Sequence, residues 1–233
     1  MIQSIIAIVM TIISLFSNWG HIIWPWSTAR DVTTDRAQVI AIYRQIATAN
    51  SDLDLRRVMN VTAYPTFIPN NMRQIIDMAL LVDGDNILGF PGNPAAITAN
   101  DLVSARSATY NSGRTLVVSM TPRNQTDGPT GAANNGPVGR TIGVLGADVT
   151  EVLNSIFNGI PLLGPMIGVL GTLAVQVQYT NPSIELRVNA QTLEVISADF
   201  TYDMEIVVPL LAILGLGNDM RIAATYRRTT NFL

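Results

Sequence analysis

The stretch MIQSIIAIVMTIISLFSNWGHIIWPW, residues 1–26, decides the reading of this chain. It contains no charged side chain, and the first one beyond it is Arg30. A hydrocarbon core of about 30 Å is crossed by roughly 20 apolar residues in a helix, so the stretch predicts a membrane-anchor or assembly helix. Ile5, Ile8, Ile12, Leu15 and Phe16 supply its apolar surface. Trp19, Trp24 and Trp26 cluster at its C-terminal end, and amphipathic aromatic rings favour the membrane–water boundary. His21 sits among them and reads as a boundary residue, since no second ligand or attachment motif accompanies it. Pro25 ends or kinks the helix.

Outward from that stretch, residues 27–50 read as an amphipathic helical extension. Ser27 or Thr28 serves as its cap, and Asp31 lies in the first turn, offsetting the helix dipole. Val32, Val39, Ile40, Tyr43 and Ile46 form its apolar face. Residues 51–233 form a head of mixed structure. Short helices are predicted over Asn71–Leu81, Asp101–Tyr110 and Asp148–Phe157, and a strand over Thr115–Met120. Residues 122–139 are rich in Gly, Pro, Asn and Thr and predict a flexible loop.

Beyond Leu173 the period changes to two. Strands are predicted over Leu173–Tyr179, Ile184–Val188, Leu193–Val208 and Met220–Tyr226, with a turn at Asn181–Pro182. In residues 197–205, Ala198, Phe200, Tyr202 and Met204 alternate with Asp199, Thr201, Asp203 and Glu205. The fold class expected from all this is α+β: a long N-terminal hydrophobic helix, then a head ending in an antiparallel β-meander.

Composition bounds the partners. Hydrophobic residues make up 48% of the 233 and charged residues 13%, against about 25% charged in ordinary soluble domains. Part of the surface is therefore expected to face lipid or other protein subunits. Leu162, Leu163, Pro209, Leu210 and Leu211 lie in uncharged stretches and are the expected secondary packing surfaces. All 14 basic residues are Arg, scattered through a chain of net charge −3. They form no basic run, so no nucleic-acid partner is expected.

The segments Phe200–Tyr202, Pro209–Leu216 (PLLAILGL) and Met220–Arg228 (MRIAATYRR) place a strand, an apolar connection and a last strand ending in Arg in succession. This resembles the C-terminal hairpin of the TadE/TadG-like family of tight-adherence pilus proteins. The resemblance covers about 35 residues plus the general layout. It implies an N-terminal membrane helix, an extracytoplasmic domain, and a role as a minor pilin or assembly component. The family's basic leader and early acidic residue have no counterpart here, the first acidic residue being Asp31.

Chemistry-bearing motifs are sparse. There is no Cys and one His, which removes thiolate and His-rich metal chemistry. Asp83, Asp85 and Asn86 gather oxygen ligands of the kind calcium takes, without EF-hand spacing, and read first as a polar turn. GRTIGVLG at 139–146 lacks the Lys-Ser/Thr ending of a phosphate loop. No catalytic residue and no cofactor is expected. The function expected is that of a non-enzymatic structural protein, pilin-like or a pilus-assembly component, at the cell membrane with an extracytoplasmic domain or in a cell-surface filament. Two alternatives stay open: an accessory single-pass subunit of a photosynthetic or respiratory complex, and a capsid or sheath protein.

Overall fold

Alternation organises the described chain. In residues 198–206, Ala198, Phe200, Tyr202, Met204 and Ile206 are buried, while the residues between them stay half-exposed. Successive side chains of a strand point to opposite faces, so this pattern puts an apolar sheet face against a layer of covering structure. The structure, a computed structural model, describes residues 28–64, 73, 86–128, 135–144, 176–208 and 219–230.

Within those residues nine strands form a single sheet: β1 (Arg30–Thr33), β2 (Asp54–Ala63), β3 (Asn86–Leu88), β4 (Leu102–Tyr110), β5 (Thr115–Pro122), β6 (Gln125–Asp127), β7 (Gln176–Asn189), β8 (Val195–Val208) and β9 (Met220–Thr229). The order is β1-β4-β5-β7-β8-β9-β2-β3, every pairing is antiparallel, and β6 pairs with β7 beside β5. Two α-helices accompany it, α1 (Arg36–Ala49) and the single-turn α2 (Pro137–Thr141).

Helix α1 covers the inner face. Val39, Ile40, Tyr43 and Ile46 of the apolar stripe read from the sequence are buried, whereas Val32, its fifth member, lies outside the helix in β1 and is exposed. Tyr43 meets Phe90 edge-on at 5.2 Å, and Phe90 meets Phe200 of β8 at 5.8 Å. Burial of an aromatic side chain of this size contributes roughly 1.5–3 kcal/mol. The Tyr43 hydroxyl donates to the Thr141 carbonyl at 3.2 Å, tying α1 to α2.

Asn50 closes α1 and locks it to the sheet. Its amide nitrogen donates to the carbonyls of Ile46 (2.8 Å) and Leu193 (2.9 Å), and its oxygen accepts from the Val195 N–H (3.1 Å). The side chain is buried, so Asn50→Leu leaves backbone groups unpaired away from water. A loss of about 2 kcal/mol in unfolding free energy is expected in urea titrations. An unchanged midpoint would show that the Asn50 bonds contribute nothing net.

Several expectations are corrected here. The fold is predominantly β-sheet with two short helices among the described residues, not a helix-led α+β chain. No described helix is long and apolar enough to cross a membrane, and α1, the longest, has 14 residues. The membrane and transmembrane reading is corrected accordingly. The helix does not begin near Ser27: Arg30–Thr33 pairs with β4, and Asp35 caps α1 by accepting from the Ala37 N–H. Residues 102–110 form β4 instead of a helix. A register shift between Leu102 and Ser104 changes the phase of the strand, so Leu102 and Ala105, three residues apart, share a face, while Ala108 is buried on the opposite face. Asn181–Pro182 is not a turn. Strand β7 runs through it with a register shift between Thr180 and Ser183, and Asn181 takes a left-handed φ of 52°. A bulge of this kind accommodates a proline that has no N–H for the ladder. Within the expected loop 122–139 lie β6 and the start of α2.

Candidate functional site

The inner face of β7, β8 and β9 carries a row of three tyrosines. Tyr202 and Tyr226 are register partners, and their rings stack at 4.5 Å with 9° between planes. Tyr179 meets Tyr202 edge-on at 5.3 Å. All three are buried, and the hydroxyls of Tyr179 and Tyr202 have no hydrogen-bond partner. Isolated buried hydroxyls are uncommon, because each forfeits its bonds to water.

Arginines border this row. Arg228 follows Tyr226 by two residues, so it shares the inner face, and its guanidinium carbon lies 5.4 Å from the Tyr226 ring centroid. Its register partner across the β2–β9 ladder is Arg57, and on its other side it faces Phe200. Both arginines are half-buried. Like charges directly opposite on one sheet face repel. At the other end of the row, Asp127 is buried and one of its oxygens has no partner. The other oxygen accepts from the Gln125 side chain at 2.8 Å.

These surroundings fix the protonation of the phenols. Burial pushes Tyr202 well above the ordinary tyrosine range; its two tyrosine neighbours add to this, and Arg228 and Arg57 oppose it. Burial also raises Tyr226, against the pull of Arg228 and Arg57, and raises Tyr179 with help from the Asp127 carboxylate. At neutral pH all three are therefore protonated: hydrogen-bond donors, unsuited to act as bases.

The outer face of the same strands is an ionic lattice. Arg227 grips Asp199 with two bonds of 2.8 Å, Arg221 reaches Glu205 at 3.2 Å, and Arg187 reaches Glu185 at 2.8 Å. Asp203 accepts from Asn181 at 2.9 Å and Thr225 at 3.2 Å. In the acidic series of β8, Asp199 and Glu205 are thus paired with arginines, and Asp203 is hydrogen-bonded by neutral groups. Exposed pairs of this kind each contribute at most about 1 kcal/mol.

At the end of the sheet, β1 is a terminal strand of four residues whose Arg30, Asp31 and Val32 are exposed. Val32 is 51% exposed, and Val103 on the neighbouring β4 is 52% exposed. A terminal strand presents unpaired backbone groups that another strand can meet.

Most residues singled out from the sequence fall outside the described residues. These are Ile5, Ile8, Ile12, Leu15, Phe16, Trp19, His21, Trp24 and Trp26 of the expected anchor, Leu162, Leu163, Pro209, Leu210 and Leu211 of the expected packing surfaces, and Asp83 and Asp85 of the polar turn. Asn86 begins β3. Among the described residues no group of three or more acidic or histidine side chains is placed to hold a metal.

The tyrosine–arginine row was not among the expected sites. Its signal was present in MRIAATYRR: with a period of two, Ile222, Ala224 and Tyr226 commit Arg228 to the inner face. The chain matches no family model, no curated protein and no solved structure.

Proposed function

We propose that the chain is a non-enzymatic structural subunit that works by associating with other protein subunits, in a pilin-like filament or a sheath-like assembly. The observation that carries this reading is the exposed terminal strand β1, with Val32 half exposed at the end of a nine-stranded sheet. Strand addition at such an edge supplies backbone hydrogen bonds and a seat for alternate side chains. The low charged fraction of 13% suits a surface that meets protein. The resemblance of residues 200–228 to tight-adherence pilus proteins supports the same role, and with it a place on the cell surface.

Light scattering over a concentration series tests the reading on the full chain. Assemblies larger than one chain are expected. Val32→Lys puts a charge on the terminal strand, a device that blocks edge pairing, and should weaken association at least about tenfold, ~1.4 kcal/mol. A wild-type chain that stays monomeric at high concentration and copurifies with no other protein would sink the proposal. Discrete complexes with other proteins would favour the accessory-subunit role over a homopolymer.

A further inference from the structure

We propose that the inner face of β8 and β9 binds a small oxyanion, a carboxylate or phosphate group, between Arg228 and the hydroxyls of Tyr202 and Tyr226. The argument begins with charge. Arg228 lies on the inner face, half-buried, where a charge is less screened than on the outer face. Arg228 forms no salt bridge with a described carboxylate, and its Nε is closed off from solvent without a hydrogen-bond partner. The outer-face arginines of the same strand, Arg221 and Arg227, each hold a carboxylate. The difference sets Arg228 apart as a cation with donor capacity to spare.

The second observation is independent of charge. Tyr202 is 1% exposed, and its hydroxyl has no acceptor. A neutral phenol beside guanidinium groups is a donor, and donors converging with positive charge are what an oxyanion accepts. Arginine's planar fork matches the two oxygens of a carboxylate or phosphate. Gly143, just after α2, lies next to this place: a Cβ there would come within 4.0 Å of Arg228 Nη1. Asp127, the buried acid of the row, neighbours Tyr179 at the far end, so it does not fill the place of the anion.

The test is thermal unfolding of the full chain at constant ionic strength, with chloride replaced stepwise by inorganic phosphate in one series and by octanoate in another. Saturable stabilisation by phosphate identifies a phosphate group as the occupant, and by octanoate an amphiphile's carboxylate. Either supports the proposal when Tyr202→Phe weakens the response at least threefold, Arg228→Leu abolishes it, and Arg221→Leu on the outer face leaves it intact. Tyr202→Phe keeps the ring stacking and guards against a fold lost with Arg228. Saturation in neither series, or a response in Tyr202→Phe and Arg228→Leu equal to that of the wild type, overturns it.

Discussion

Gly92→Ala should cost about 3 kcal/mol of unfolding free energy, although it adds a single methyl group. Gly92 has φ +72°, in the left-handed region that residues with a Cβ avoid. Strain there accounts for about 1 kcal/mol. The remainder comes from collision. A Cβ at Gly92 would press on the Arg140 carbonyl oxygen and lie 2.9 Å from the carbonyl carbons of Arg140 and Thr141. These are backbone atoms at the end of α2, held in place by the Asn93 N–H bond to the Arg140 carbonyl at 2.8 Å. They cannot swing aside as a flexible side chain does, and overpacking of this kind costs about 1–3 kcal/mol. Gly113 supplies the control. It has φ +85°, yet a Cβ there meets nothing within 4 Å. Gly113→Ala should therefore lose only the strain, about 1 kcal/mol. Urea titrations of the two variants separate the contributions, and equal losses would refute the packing argument.

The contrast between these glycines bears on what the sequence discloses. Both stand in loops with turn-forming neighbours, and nothing local distinguishes them. Only the tertiary approach of α2 makes Gly92 the costlier position. The same limit separates the expectations that hold from those that do not. The alternation from Ala198 to Glu205 was legible because one strand with one buried face writes its period directly into the sequence. The apolar stripe of α1 was legible for the same reason. Strand β4 was not, because its register shift breaks the period between Leu102 and Ala105, and Ala108 is buried on the opposite face. Strand β7 was misread at Asn181–Pro182 because a bulge and a turn call for the same residues, one tolerant of positive φ and one without an N–H. At the tyrosine–arginine row, each strand's period shows which side chains point inward. The pairing of Arg57 with Arg228, however, joins residues 171 positions apart, and such a pairing is set by strand order across the whole sheet.

Arg140→Leu should destabilise the fold by about 3 kcal/mol and change how stability depends on pH. The side chain of Asp101 is 4% exposed and that of Arg140 25%. Two guanidinium nitrogens of Arg140 bond the Asp101 carboxylate, Nε at 3.1 Å and Nη2 more closely. Asp101 also accepts from the Thr98 N–H at 2.7 Å and hydroxyl at 2.9 Å, closing the turn that leads into β4. Burial alone would push its carboxyl up. The bonds from Arg140 and Thr98, with the Arg140 charge, outweigh burial and hold it below the ordinary carboxylate value. A carboxyl lowered on folding contributes stability that is fully present above its unfolded value, about pH 4, and is lost as pH falls through the lower folded value. The wild type should thus lose this increment in acid. In Arg140→Leu the stabilising charge is gone and burial acts against fewer opposing bonds, so the loss below about pH 4 should flatten. The partners are unequal, which yields a sharper test. Removing Arg140 leaves a nearly closed-off carboxylate, the kind of orphaned charge that costs about 3–5 kcal/mol. Asp101→Asn instead leaves a guanidinium with a quarter of its surface already in water and still bonded to the Asn135 carbonyl, and should cost about 1–2 kcal/mol. Arg140→Leu must therefore be the more damaging of the two at pH 7, and the reverse order would show that the Thr98 bonds, not the ion pair, secure the entry to β4.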